Sequence, residues 1–383
     1  MLIRYSQPDI NKQDIKSAAS ILKGSSLTQG KKLLEFEKKV SLKVKAKYSV
    51  GVNSATSALY IAYKAIGLKK NDYLWTSANT FASTANCALH FGTKVDFVDI
   101  NPNTYNMCLD NLEKKLKNTK KKNLPKVIVP VHFAGLPCDM EKLHYLKKLY
   151  NFKIVEDASH AIGAIYKNNP IGSCKYSDIT VFSFHAIKVI TTGEGGMAVT
   201  NNLNYFKKMS QLRSHGIVPN KNNKNKNEIW NYTQIDLGLN FRLTEFQSAL
   251  GISQLKKLNH FISKRNKIFD YYNKALSKTK IITPQKKKNF RSSNHLYVIR
   301  LDKLKNTTQR KIYYAMKKLN IELNLHYIPV YLHPYYRKLG FRRNHCPQAE
   351  KYFKNALSLP MHTKLTHKMQ NKVIDNLLKL IKR

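Results

Sequence analysis

Apolar positions along the first two-thirds of the chain follow two alternating periods. Short, nearly continuous apolar runs predict buried strands at Lys126–His132 (KVIVPVH), Lys153–Asp157 (KIVED), Ile179–Phe184 (ITVFSF) and Gly196–Thr200 (GMAVT). Amphipathic stretches such as Met140–Tyr150 lie between several of them and predict helices. Strands alternating with helices predict an α/β domain around a mostly parallel sheet. Ligands of such sheets collect beyond the carboxyl ends of the strands, and the chemically unusual residues of this chain fall there.

A different pattern follows. From about Leu243 to Leu276, Phe246, Ala249, Leu250, Leu255, Leu258, Phe261 and Ile262 keep a broken spacing of three and four, predicting one long helix. Thr244 and Gln247 fit a capping box at its start. Its length suits a bridge between domains or a subunit interface. After Pro284 and the Lys286–Lys288 loop, a strand at His295–Leu301, a helix at Thr308–Leu319 and a strand at Ile321–His326 predict a smaller α/β unit. The expected division is a large domain over residues 1–255 and a small one over 256–383.

Composition narrows the classes. The chain has 383 residues, 42% of them hydrophobic, enough for a buried core and too many for a disordered tail. It contains no run of about 18 uncharged apolar residues, so no transmembrane helix is predicted. The N-terminus turns polar after three apolar residues, so no signal peptide is expected. Cys87, Cys108, Cys138, Cys174 and Cys346 are scattered and form no CxxC pair, so neither a disulfide framework nor a metal site is expected. A reducing cytoplasm is the expected location.

Lys+Arg is 67 and Asp+Glu is 23, giving a formal charge of +44. That surplus invites a nucleic-acid reading, but the basic residues are spread over the whole chain. The densest clusters, Lys120–Lys122, Lys221–Lys226 and Lys286–Lys288, sit in Asn-rich or Pro-flanked stretches that predict loops. The run at Asn220–Asn227 reads as a mobile surface loop. No zinc-finger spacing, RNP signature or basic-region heptad accompanies the clusters. No nucleic-acid partner is expected; the field would instead draw in a phosphate-bearing anion.

Three segments carry candidate chemistry. In Phe182–Gly196 (FSFHAIKVITTGEGG), a strand ends at Ser183-Phe184-His185, Lys188 follows in the turn, and Gly193, Gly195 and Gly196 free the backbone. A lysine partly withdrawn from water loses basicity and becomes nucleophilic, as Schiff-base chemistry requires. The stretch lacks the GxxxxGK[ST] of a phosphate loop and the GxGxxG of a dinucleotide site. In Val155–Ala164 (VEDASHAIGA), Asp157 ends a strand 31 residues before Lys188 and could pair with a protonated pyridine nitrogen. His160 could contact the phenolic oxygen of the same ring. In Val52–Leu59 (VNSATSAL), a helix start with Ser54, Thr56 and Ser57 suits a phosphate. Taken singly, each has a plainer reading: a surface lysine, a capping aspartate, a core histidine, a Ser/Thr cap. Together they are the three fixtures that pyridoxal phosphate (PLP) needs.

The chain also resembles the DegT/DnrJ/StrS family of PLP-dependent nucleotide-sugar aminotransferases. The similarity runs nearly end to end, through LTQG (Leu27–Gly30), NSATSAL (Asn53–Leu59), TF (Thr80-Phe81), EDASHAIGA, SFHAIK, EGG, RSHG (Arg213–Gly216), LNFRL (Leu239–Leu243), HYIP (His326–Pro329) and SLP (Ser358–Pro360). The pairing of EDAxH with SFHxxK is the specific part. Many relatives carry a proline before the TF pair, where this chain reads Thr76-Ser-Ala-Asn-Thr-Phe81. Some relatives replace the lysine with histidine and dehydrate sugars; here Lys188 is present.

The resemblance implies an α/β fold like that of aspartate aminotransferase (PLP fold type I), with a smaller C-terminal α/β domain. It implies that Lys188 carries PLP covalently and shuttles the proton between substrate carbon and cofactor. Asp157 would bind the pyridine nitrogen, His160 the ring's oxygen side, Phe81 a ring face, and Ser183, Ala55 and Thr56 the phosphate. Asn240 would reach the phosphate of a neighbouring subunit's cofactor, so a homodimer with shared sites is implied. Tyr5, Ser25, Ser26, Leu27, Thr28, Asn324, Leu325, His326 and Tyr327 would hold the sugar nucleotide, with the first 30 residues contributing to that site. The implied reaction takes an amino group from L-glutamate, through the pyridoxamine form (PMP), to C4 of a UDP-linked 4-keto-6-deoxy-N-acetylhexosamine. The phrases SSLTQGK, FSFHAIKxITTxEGG and HYIPVY carry that closer match. Rival readings are another nucleotide-linked ketosugar, such as a perosamine- or 4-amino-arabinose-type precursor, or a non-catalytic PLP- or DNA-binding regulator.

Overall fold

A computed structural model describes residues 1–219, 228, 230–302, 304 and 307–382. The run at 220–227, expected to be a mobile loop, lies outside the described residues. The first nine strands are β1 (Tyr48–Val52), β2 (Tyr73–Ser77), β3 (Lys94–Val98), β4 (Val127–Val129), β5 (Lys153–Asp157), β6 (Ile165–Tyr166), β7 (Asn169–Pro170), β8 (Ile179–Ser183) and β9 (Gly196–Thr200). Seven of them form one sheet in the order β1-β9-β8-β5-β4-β2-β3. From β8 to β3 neighbouring strands run parallel, while β9 is antiparallel to both β8 and β1. The mostly parallel sheet read from the sequence is therefore present, with one reversed strand beside its edge.

Adjacent residues of the central strands enter two separate cores, as a period of two requires. Trp75, Ile128, Ile154 and Phe182 join one cluster; Leu74, Val129, Val155 and Val181 join the other. All of β8 and β9 is buried, so their sequences read as apolar runs without alternation. Strand β4 is shorter than the predicted Lys126–His132. Pro130 has no amide for a ladder, and Phe133–Gly135 turns into a short 3-10 segment.

The long helix predicted over Leu243–Leu276 is two helices, Glu245–Lys256 and Leu258–Leu276. The capping box is present: the Thr244 amide donates to Gln247 Oε1 (3.0 Å) and the Gln247 amide to Thr244 Oγ1 (3.4 Å). At Lys257 the backbone leaves the helical range (φ −92°, ψ −2°), and its ammonium pairs with buried Asp14. Leu258, Phe261 and Ile262 of the second helix pack into the first core. Its later turns, with Ile268, Phe269, Tyr272 and Leu276, pack into a third core that also holds Ile3, Ile299, Leu357 and Leu377.

The remaining strands are β10 (Ile217–Pro219) with β11 (Tyr232–Gln234), β12 (Phe290–Arg291) beside β6, and β13 (Tyr297–Arg300) with β14 (Ala356–Leu359). Strand β13 lies within the predicted His295–Leu301. The helix Gln309–Lys318 lies within the predicted Thr308–Leu319, with Thr308 as its cap. The strand predicted at Ile321–His326 does not form. In its place the segment makes two isolated bridges, Ile3 to Ile321 and Asn324 to Ser358. Asn324 Oδ1 accepts the next amide, that of Leu325, at 2.7 Å, a local bond that competes with a ladder. Among the described residues no helix is long and apolar enough to cross a membrane.

Candidate active site

The carboxyl ends of the parallel strands assemble the site. Asp157 ends β5, Ser183 ends β8, Gly196 opens β9, and Val52 ends β1 before the helix Ala55–Ile66. Register aligns them: Asp157 faces Val181, Ser183 faces Gly196, and Gly196 faces Val52. A Cβ on Gly196 would lie 2.3 Å from the Ser54 oxygen and 2.5 Å from the Ala55 nitrogen. Only glycine lets the helix start approach β9 this closely. Ser54 caps that helix by accepting the Ser57 amide at 3.1 Å. The Ala55 and Thr56 amides have no partner among the described residues, and free amides at a helix start favour an anion.

Asp157 is buried but well held. One carboxylate oxygen accepts from the Thr84 hydroxyl (2.7 Å) and the other from the Ser159 amide (3.1 Å). Lys188 lies in the turn after β8, which is closed by Lys188 N to His185 O (2.9 Å), Thr192 N to Phe184 O (2.9 Å) and Phe184 N to Gly195 O (2.8 Å). Gly193 adopts φ +83° there, a left-handed conformation that suits glycine. The Lys188 side chain keeps partial exposure, and no hydrogen bond to its amine occurs among the described residues. Burial lowers its pKa to about 8, with the Asp157 charge opposing. A fraction of the amine is thus unprotonated, and hence nucleophilic, near neutral pH.

His160 is fully enclosed. Its Nε2 bonds the Tyr327 hydroxyl at 3.1 Å, while its Nδ1 has no partner. Burial, then the charge of Lys188, then His326, hold its pKa well below the ordinary imidazole value. The exposed Phe81 ring stands 6.1 Å from that of Tyr327. On the other side of Tyr327, His326 Nδ1 bonds Ser358 Oγ (2.8 Å), and burial followed by Lys188 lowers its pKa to about 3. Tyr5 reaches this cluster from the N-terminus, its ring 5.8 Å from His326. Burial raises the Tyr5 pKa, and the Asn324 side chain beside the phenol opposes. Ser6 Oγ donates to Ile187 O at 3.2 Å, tying the N-terminal segment to the lysine turn.

Lys188, Asp157, His160, Ser183, Ala55, Thr56 and Phe81 thus line one end of the sheet, with Tyr5 and Asn324–Tyr327 beside them. Ser25–Thr28 do not join this cluster. They are exposed, and their backbone meets the start of the 245–256 helix, where Glu245 N donates to Leu27 O at 2.9 Å. Asn240 is exposed too. Its neighbour Phe241 accepts the Asn53 amide at 2.9 Å, which places this segment against the turn that leads into the Ala55–Ile66 helix. Sequence reasoning missed Thr84, which holds Asp157, and His295, whose ring lies 4.5 Å from that of His160. The threonine of an ordinary helical stretch and a histidine opening a predicted strand gave no local signal.

These residues fit pyridoxal phosphate. An amine without a partner, a buried carboxylate, a half-bonded imidazole and open helix-start amides match its aldehyde, pyridine nitrogen, phenolic oxygen and phosphate in turn. Residues 8–378 match the DegT/DnrJ/EryC1/StrS aminotransferase family. The chain belongs to that family and is a PLP-dependent aminotransferase with an α/β fold of PLP type I. It is 38% identical, over all of its length and 98% of the relative's, to the UDP-4-amino-4,6-dideoxy-N-acetyl-beta-L-altrosamine transaminase of Campylobacter jejuni. Helicobacter pylori PseC, an aminotransferase of pseudaminic acid biosynthesis, superposes with a TM-score of 0.92 at 32% identity, covering 100% of both chains. The PMP form of Spr1654, a sugar aminotransferase of Streptococcus pneumoniae, superposes at 0.91 with 29% identity, covering 99% of both chains.

Proposed function

We propose that the enzyme aminates C4 of a UDP-linked 4-keto-6-deoxy-N-acetylhexosamine with L-glutamate as donor, in pseudaminic acid biosynthesis. The observation that carries this reading is the full-length similarity to the Campylobacter transaminase. The Tyr5–Asn324–His326 cluster beside Lys188 supports it, since it offers hydroxyl, amide and imidazole groups to a sugar where the lysine can act. In this reading Lys188 holds the cofactor and moves a proton at the substrate carbon. When bound, the cofactor's protonated ring withdraws electrons from that carbon. Asp157 keeps the ring nitrogen protonated, His160 bonds its oxygen side, and Phe81 covers one face. Ser183 and the Ala55 and Thr56 amides hold the phosphate. Tyr5 and Asn324–Tyr327 orient the sugar, and Ser25–Thr28 take part in holding the nucleotide.

A homodimer and a cytoplasmic location complete the proposal. Trp230, Tyr232, Ile235, Leu237 and Leu239 are all exposed on the segment that also carries Asn240. So much exposed apolar surface on one segment favours a covering partner, and a second copy would put Asn240 beside a neighbouring site. Single-turnover reactions of the PMP-loaded enzyme with UDP-, GDP- and dTDP-linked 4-ketosugars test the substrate. UDP-4-keto-6-deoxy-L-AltNAc should react at least about tenfold faster than the others, and NMR should show an amine at C4. Faster reaction of a GDP- or dTDP-sugar would overturn the assignment.

A further inference from the structure

A positive charge without an acid is buried behind His160. Arg265, on the 258–276 helix, is 2% exposed, and no carboxylate pairs with it among the described residues. Its Nη1 donates instead to the carbonyls of Asn294 (3.3 Å), His295 (3.1 Å) and Met361 (2.9 Å). A buried cation without a counter-ion is unfavourable, and carbonyl dipoles offset only part of that cost.

The tether has two ends. One fixes the 293–296 turn, where the His295 ring lies 4.5 Å from His160 at 42°, the His295 amide donates to Ala134 O at 2.9 Å, and the Ser293 hydroxyl bonds the His160 carbonyl. The other fixes Met361, whose amide donates to Tyr5 O at 2.9 Å. Next to it, His362 Nε2 bonds Arg4 O at 3.1 Å. One guanidinium therefore joins the backing of the cofactor-side histidine to the backbone that carries Tyr5.

We propose that Arg265 and His295 are positioning residues for His160: the guanidinium holds the turn through the Asn294 and His295 carbonyls, and the His295 ring backs the His160 ring, leaving His160 Nδ1 open toward the oxygen side of the cofactor ring. The proposal rests on the reading of Lys188, Asp157 and His160 as the cofactor site. His160 faces the Tyr327 hydroxyl, His295, His326 and the Lys188 ammonium, with Arg265 behind His295 and the Asp157 carboxylate on its own turn. Positive or potentially positive groups outnumber that carboxylate. His295 is depressed by burial first, then by His160, Lys188 and Arg265.

The test titrates the full-length, cofactor-free protein carrying 15N-labelled histidine, by NMR from pH 5 to 9. In the wild type the His160 and His295 ring signals should report one fixed environment. In Arg265→Met the 293–296 turn loses the guanidinium that holds two of its carbonyls, so both ring signals should shift and PLP affinity should fall about tenfold, the equivalent of one net hydrogen bond. The visible band of the PLP-loaded variant should shift as well. Arg265→Lys keeps a donor for the carbonyls and should restore most of the wild-type behaviour. A folded Arg265→Met protein with unchanged ring signals, PLP affinity and band would overturn the proposal.

If Arg265→Met does not fold, the His295 variants decide. His295→Phe keeps a backing ring and should leave PLP affinity and the His160 signal near wild type. His295→Ala should weaken PLP binding about tenfold, the equivalent of one net hydrogen bond, and shift that signal. No difference between the two would overturn the proposal. Failure of the wild type to load PLP on Lys188 would instead count against the cofactor-site reading, and would leave the cofactor-free titrations intact.

Discussion

Glu156 and Asp157 are consecutive residues of β5, pointed to opposite faces by the strand period. Both are buried carboxylates, yet their surroundings differ. Glu156 accepts from His132 Nε2 (2.7 Å), Thr180 Oγ1 (2.8 Å) and the Ser177 hydroxyl. Its partner His132 is fully buried and accepts the Cys138 amide at Nδ1 (3.0 Å). Every polar atom of that pair is used. On the other face, Asp157 has two donors, Lys188 has none, and His160 keeps one nitrogen unbonded. A saturated buried pair can only hold the fold together; an unsaturated one has capacity left for a ligand. In the proposed reading, that difference separates a structural carboxylate from a chemical one where sequence adjacency does not.

Substitutions can break that contrast. The largest effect is expected for Lys188→Ala. The protein should fold, since it removes an amine with no hydrogen bond, but steady-state turnover should fall at least about 10⁴-fold. Residual turnover within about tenfold of wild type would defeat the role given to this lysine. Asp157→Asn should keep the melting temperature within a few degrees while slowing turnover about 10²–10³-fold, as expected for the loss of a group that acts on charge in the reaction. Glu156→Ala should do the reverse. Breaking a buried pair costs about 3–5 kcal/mol of stability, seen in chemical denaturation, while the folded fraction should retain most activity. If both variants lost rate equally and stability equally, the contrast would fail.

The pair also predicts a pH signature. The Cys138 amide donates to His132 Nδ1, so the imidazole is neutral and its Nε2–H donates to Glu156. Burial opposes the Glu156 charge, but its hydrogen bonds to His132, Ser177 and Thr180 hold its pKa below 4.5. The lowered carboxylate contributes stability that is present above 4.5 and lost as pH falls through its folded value. The stability gap between wild type and Glu156→Ala should therefore be full above pH 4.5 and narrow at more acid pH. A gap independent of pH would contradict a buried ionised Glu156.

The smallest expected effects concern the two groups with spare capacity. Tyr327→Phe removes the hydroxyl on His160 Nε2 and should slow turnover about tenfold or less, the equivalent of one net hydrogen bond. In the cofactor-free enzyme, the rate of PLP capture should rise with pH and reach half its plateau near 8, the depressed value of the Lys188 amine. A midpoint near 10.5, the ordinary lysine value, would mean the amine is not desolvated.

The legible parts of the molecule are those set by local pattern. Strands β5 and β9 and the helix Met140–Tyr150 lie where the apolar runs and amphipathic spacing predict them. The Thr244–Gln247 cap is readable because its two partners are three residues apart. The break at Lys257 and the irregular backbone at 321–326 depend on partners distant in sequence, Asp14 for the first, Ile3 and Ser358 for the second. The site divides in the same way. Lys188, Asp157 and His160 sit in distinctive strand-end phrases. Thr84, His295 and Arg265 reach the site from unremarkable helix and strand positions, and only the fold brings them to it. Tyr327, expected from the resemblance on the substrate side, also bonds His160.

Reduction of the PLP-loaded enzyme with borohydride, followed by peptide mapping, tests the lysine assignment most directly. A single pyridoxyl adduct on Lys188 is the predicted result. An adduct on another of the chain's many lysines, or none at all, would contradict it.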